Sequence, residues 1–185
     1  MPDHRAKKSI GRVKRRSRNG PEEVPSIDLD EFLPYLFHLV ASRLNHRFLE
    51  RLRPHGVTVQ RWRVLMAVRN LGPRNIGELG KLTLIPQSAL SRVVDQMERD
   101  RLVLRQISEI DNRVVEVHLT AHGRLLYGKL VPAAMAHAEA LVDEFSVSER
   151  EMLFMLLRRI LKTLQTEALP GAEDGALPHQ DAAER

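Results

Sequence analysis

Apolar positions follow helical spacing over most of the chain. Phe32, Leu33, Leu36, Phe37, Leu39, Val40, Leu44, Phe48 and Leu52 recur at three- and four-residue intervals, the mark of an amphipathic helix. Asp28 or Asp30 can cap its start, Pro34 fits its first turn, and Pro54-His55-Gly56 ends it. Thr58 caps a second helix carrying Trp62, Leu65, Met66 and Val68, which Leu71-Gly72-Pro73 terminates. Asn75 with Glu78 is a capping box that opens a short third helix through Ile76, Leu79 and Leu82. After Thr83-Leu84-Ile85, Pro86 stands in the first turn of a fourth helix reaching about Arg101. Its inward positions are Leu90, Val93, Val94 and Met97; Gln87, Ser88, Ser91, Arg92 and Asp95 face outward. The period then changes. Leu102–Ile107 and Val114–Leu119 read as strands, and the polar connector Ser108–Arg113 makes them a β-hairpin. Thr120 caps a fifth helix to about Phe145, and a capping box at Ser148-Glu149-Arg150-Glu151 opens a sixth. The expected fold class is mainly α with a small β-hairpin.

Composition adds boundaries and exclusions. Of 185 residues, 43% are apolar, enough for a core, and only 4% are aromatic, which disfavours a sandwich or barrel. Residues 1–28 hold eight basic and four acidic residues, and eight of the fourteen from Arg5 to Arg18 are Lys or Arg. This segment reads as a disordered basic arm, and residues 167–185, with five acids against Arg185, as a disordered acidic tail. The two nearly cancel, so the folded part, 29–166, carries the net +5. No apolar run reaches the roughly 18 residues that cross a bilayer, and MPDHRAKKSI lacks a signal core. A cytoplasmic protein with no membrane partner is expected. With no Cys, thiol switching is excluded. No G-x-S-x-G, H-E-x-x-H or phosphate loop occurs, so neither an enzyme nor a cofactor or resident metal is expected.

The candidate chemistry lies in the middle of the chain. Two short helices, a tight turn and a polar-faced helix make a helix-turn-helix, and a hairpin directly after it makes a wing. Gln87 can hydrogen-bond adenine, Arg92 guanine or phosphate, and Ser88 and Ser91 phosphate or base. The helix N-terminus adds free amides for a phosphate. Arg113 at the hairpin tip is suited to a minor groove. Asp111 is read as a wing brace, pairing with Arg113 or Arg105. From Pro86 to Arg113 there are five arginines and five acids, so this segment is formally neutral. Arg43 to Arg74 instead holds eight arginines and one acid, Glu50. Arg43, Arg47 and Arg51 form an i+4 stripe. One reading is a solvated or dimer-face stripe. The other is an anion site for an effector carboxylate or phosphate, with Arg43, Arg47 and His38 as polar groups and Phe37 and Trp62 as apolar walls.

The segment from Thr58 to Gly123 resembles the MarR family of winged helix-turn-helix transcriptional regulators. The resemblance rests on Thr58…Trp62…Val64-Leu65, Ile76-x-Glu78-Leu79, Ser91-Arg92-Val93-Val94-Asp95-x-Met97-Glu98, Leu102-Val103-x-Arg105, Asp111-x-Arg113 and Val117-x-Leu119-Thr120-x-x-Gly123, in order and at family spacing. Arg101 departs from the family's helix-ending Gly, Gly80 from its Ala, and Arg61 from a common Gln. The resemblance implies a winged lobe at about 58–120 and dimerisation helices at about 30–53 and 121–166. It implies a homodimer that binds a pseudo-palindromic operator, in most members as a repressor, and is released by a small effector. An anionic effector, an aromatic acid or acyl-CoA-like molecule, suits the arginines. Two other readings stay open: a nonspecific, chromatin-like DNA-binding protein led by the basic arm, and a zinc-dependent sensor built from His and carboxylates.

Overall fold

The computed structural model describes residues 13–14 and 26–166. The basic arm is described only where β1 (Val13–Lys14) pairs antiparallel with β2 (Ser26–Ile27). The rest of the arm and the acidic tail lie outside the described residues. The chain divides after Ala138 into two compact units.

The first unit holds the core. Helix α1 (Leu33–Leu52) is capped by neither aspartate: its N-cap is Phe32, without a side-chain bond, while Asp28 accepts from the Asp30 N–H in the preceding turn. Only its C-terminal end is buried, through Phe48 and Leu52; Leu33, Tyr35, Phe37 and Val40 stay exposed. A 3-10 turn (Arg53–His55) ends at Gly56, which is left-handed at φ 65°. Thr58 Oγ1 accepts the Arg61 N–H and starts α2 (Val59–Leu71). Helix α3 (Ile76–Thr83) starts with the predicted box, Glu78 N–H to Asn75 at 2.9 Å and Asn75 N–H to Glu78 at 3.1 Å.

Helix α4 (Gln87–Arg99) is shorter than the sequence reading, and Pro86 is its N-cap rather than a first-turn residue. It ends in a Schellman turn: the Arg101 N–H donates to Glu98 O and the Leu102 N–H to Met97 O, with Arg101 at φ 56°. That left-handed position is one where glycine is cheapest, so Arg101 is held there by the bonds and by buried Leu102 and Met97. The hairpin β4 (Val103–Ile107) and β5 (Val115–Leu119) follows in the register Val103↔Leu119, Arg105↔Val117. A third strand was not legible: β3 (Arg74–Asn75) pairs with β5, giving the order β3-β5-β4. Two residues are too few to show alternation, and Asn75 serves both as strand and as N-cap.

Helix α5 (Ala121–Glu139) stops six residues before the expected Phe145. In the second unit α6 (Val147–Thr166) follows a short turn. Its capping box is Ser146 with Glu149, two positions before the predicted one: Ser146 N–H and Oγ–H both donate to Glu149, and the Glu149 N–H donates back to Ser146 Oγ. These bonds hold the Glu149 carboxyl below its usual range. Phe154, Met155, Leu161 and Leu164 of α6 are exposed. The expected dimerisation region, 121–166, is thus split, with nearly all of α5 belonging to the winged unit. The first unit's core gathers Leu52, Val64, Leu65, Leu79, Leu90, Val94, Met97, Val103, Val117 and Leu130.

Candidate nucleic-acid interface

The turn between α3 and α4 aims the recognition helix. Thr83 Oγ1 donates to Leu79 O at 2.6 Å, and Leu84 turns left-handed at φ 56°, its N–H on Gly80 O at 2.9 Å. Buried Ile85 anchors the turn, and Pro86, extended at ψ 139°, redirects the chain into α4. Leu90, Val93, Val94 and Met97 are buried beneath, as the spacing predicted. Gln87, Ser88 and Arg92 are exposed on the other face, with Gln87 and Ser88 in the first turn, whose amides are free of helical partners. Ser91 is half-buried, and its hydroxyl donates to Gln87 O at 3.1 Å. It therefore offers a ligand its lone pairs rather than its proton.

Acidic side chains on and beside α4 are held in ion pairs within the fold. Arg105 on β4 reaches Glu98 at 2.5 Å and Asp95 at 2.6 Å, and its backbone N–H also donates to Glu98 at 3.1 Å. Burial works to lower the Arg105 pKa, but the bonds to Asp95 and Glu98 outweigh it and hold the guanidinium above its usual value. Arg61 on α2 pairs with Asp100 at 2.7 Å. The wing brace is therefore assigned differently from the sequence reading. Arg105 does not meet Asp111; it ties the wing to α4. Asp111 accepts the Arg113 backbone N–H at 3.0 Å and shapes the tip. Three of the segment's five acids are thus paired, while among the described residues Arg92 and Arg113 are exposed and free of ion pairs. The formal count of this stretch therefore does not show which of its charges are held in pairs and which are left exposed.

A cavity of about 320 Å³ lies elsewhere in the first unit, lined by Phe48, Trp62, Met66, Asn70, Tyr127 and His137 with further apolar residues of α5. Trp62 stacks on Tyr127 (centroids 5.3 Å, planes 4° apart), Phe48 on His137 (4.8 Å, 15°), and Phe48 meets Trp62 edge-on at 5.8 Å. Asn70 donates to Tyr127 Oη at 3.4 Å. Burial lowers the His137 pKa, and the positive charges of Arg51 and Arg47 lower it further. Of the five residues read as an effector site, only Trp62 lines this cavity. Phe37, His38, Arg43 and Arg47 are exposed on α1 and stand outside its lining. Phe48, Asn70, Tyr127 and His137 line the cavity but were not among the residues read as candidates. The available signal was scarcity: the chain has eight Phe, Trp and Tyr residues, and three of them converge here. Among the described residues no three metal-ligating side chains gather, and no helix is long and apolar enough to cross a membrane.

Comparison with known proteins agrees with this geometry. A family model described as MarR family matches residues 55–113. The HTH-type transcriptional regulator SarZ of Staphylococcus aureus is 26% identical over 123 residues, covering 66% of this chain and 80% of SarZ. BpsR of Bordetella bronchiseptica, whose DNA binding is regulated by 6-hydroxynicotinic acid, superposes with a TM-score of 0.64 at 25% identity, covering 76% of this chain and 97% of BpsR. A mutant MarR from E. coli, complexed with operator DNA, superposes at 0.63 with 25% identity, covering 70% and 93%. The winged lobe, the ion-paired recognition helix and these likenesses coincide on the same residues: over this lobe the chain is similar to the MarR family of winged helix-turn-helix regulators, which points to a DNA-binding transcriptional regulator rather than an enzyme.

Proposed function

We propose that this protein is a homodimeric, cytoplasmic repressor that binds a pseudo-palindromic operator and is released by a small aromatic anion. The observation that carries the reading is the outer face of α4, where Gln87, Ser88 and Arg92 are free while Asp95 and Glu98 are held by Arg105. In this reading Gln87 and Arg92 meet base edges in the major groove, Ser88 donates to phosphate or base, Ser91 accepts from a base donor, and Arg113 enters the minor groove. Dimerisation is supported by the exposed apolar faces of α1 (Leu33, Phe37, Val40) and α6 (Phe154, Leu161, Leu164), too large to leave in water. A twofold dimer places its recognition helices roughly 34 Å apart. Footprinting on duplexes carrying the protein's own upstream region tests this: two protected half-sites about one turn apart are expected. Uniform protection of unrelated DNA would instead establish the nonspecific, chromatin-like reading.

The effector reading rests on the cavity. Its aromatic walls suit a planar ring, and its His137 end lies in the positive field of Arg47 and Arg51. BpsR supplies a precedent for an aromatic acid as effector. His137 gives a pH test. Its folded pKa is below the ordinary value, so between about 6.5 and that lower value the unfolded chain takes up a proton and the folded chain does not. His137 therefore contributes stability above that window that is lost as pH falls through it. A bound carboxylate reverses the balance by favouring the imidazolium. With 6-hydroxynicotinic acid or benzoate as probe, affinity is expected to rise as pH falls from about 7.5 to 5.5 and to lose this dependence in His137→Gln. Calorimetric titration in two buffers reads the proton uptake; equal, pH-independent binding by both proteins would remove His137 from the site.

A further inference from the structure

The wing tip carries an apolar side chain that neither the fold nor the operator reading uses. Ile110 is 97% exposed, more than any other large apolar residue described. It does not owe this to a loose loop. The Ser108 N–H donates to Val114 O and the Val114 N–H to Asp111 O, each at 2.9 Å. The Ile110 N–H donates to buried Ser108 Oγ at 3.4 Å, and Asp111 Oδ1 holds the Arg113 N–H. The tip is thus a self-bonded turn that presents Ile110 and Arg113 together. Turn positions favour Gly, Asn, Asp and Ser, and a β-branched residue there gains nothing for the turn itself. A lone exposed Ile elsewhere on a surface is ordinary. This one sits three residues from the arginine aimed at DNA, at the apex of the element that approaches it.

We infer that Ile110 is an apolar minor-groove contact, a wedge that packs against deoxyribose edges and a base step beside the base pairs that Arg113 reaches. The inference rests on the operator reading above. The groove walls are sugar C–H groups, which offer an isoleucine dry contact. An apolar wedge is accommodated best where the step unstacks easily, at pyrimidine–purine steps. Ile110 therefore adds shape selection at the flanks of the operator, outside the pairs that α4 touches. The local charge is compatible: Arg113 supplies the cation for the groove while Asp111 is turned onto its own backbone.

The test is selection of duplexes from a random pool by the wild-type protein, I110A, I110V and R113A. Wild type is expected to enrich pyrimidine–purine steps at the flanks. I110A should lose that enrichment and bind the wild-type duplex about tenfold more weakly, with the α4-read positions still selected. I110V should stay within about threefold of wild type, since one methylene is removed. Thermal unfolding of I110A is expected to match wild type, because the side chain is almost fully exposed. If I110A keeps wild-type affinity and flank preference while R113A is weakened, Ile110 is a spectator and the inference falls alone. If R113A also binds as wild type does, the wing does not reach DNA, and the operator reading's use of it falls as well.

Discussion

Gly123→Ala is expected to destabilise the winged unit by about 3 kcal/mol or more, lowering the melting temperature by roughly 6–12 °C. Helix propensity alone argues the other way, since Ala is favoured over Gly by about 1 kcal/mol in a helix interior. Tertiary contact decides the sign. A Cβ on Gly123 would lie 2.0 Å from Leu102 O and 3.3 Å from Leu119 Cδ2. Leu102 cannot retreat: its N–H is on Met97 O, and its carbonyl accepts the Thr120 N–H at 3.1 Å and the Thr120 hydroxyl at 3.2 Å. That hydroxyl also donates to Arg101 O at 2.6 Å and accepts the Gly123 N–H at 2.9 Å. Moving α5 away breaks this junction between the recognition helix, the wing and α5. Gly128 of the same helix is the control. Nothing lies within 4 Å of its Cβ position, so Gly128→Ala should be neutral or stabilising by up to about 1 kcal/mol. Urea unfolding followed by circular dichroism measures both; a Gly123→Ala protein as stable as wild type would show that α5 and Leu102 can part without cost.

Arg105→Ala is expected to weaken operator binding by about 100-fold. The guanidinium fork holds two carboxylates that point from the recognition helix, and among the described residues no other cation pairs with either. Its loss frees the wing from α4 and leaves Asp95 and Glu98 uncompensated where the DNA phosphates approach. Both effects weaken binding. Stability should fall less, by about 1–2 kcal/mol, because the carboxylates are partly solvated and screened. Arg105→Lys keeps the charge but not the fork and should recover only part of the affinity. Adding Asp95→Asn and Glu98→Gln to Arg105→Ala separates the causes: recovered affinity identifies repulsion, and no recovery identifies the detached wing. Unchanged affinity in Arg105→Ala itself would show that neither matters.

Much of the winged lobe was legible because its signals are local. Thr58, Asn75 with Glu78, and the inward run Leu90, Val93, Val94, Met97 act within one or two helical turns, and each appears where the spacing placed it. Errors concentrated where local rules compete. At α6, Ser146 and Ser148 both precede acids, and the cap formed at Ser146. At α1, two aspartates offered a cap and the helix began without one. The cavity was mostly illegible because Phe48, Trp62, Tyr127 and His137 come from three helices whose meeting no local pattern encodes.

By itself the sequence determined the order of helices and hairpin, the buried face of each lobe helix, and the polar face of α4, since periodicity and capping are properties of a few neighbouring residues. Only the tertiary structure decided which charges remain free. Arg105 and Arg61 reach Asp95, Glu98 and Asp100 across 7 to 39 positions of chain, and among the described residues exposed Arg92 and Arg113 are left without ion-pair partners. Ion pairing depends on distances of a few ångströms in space, and composition counts charges without knowing which of them meet.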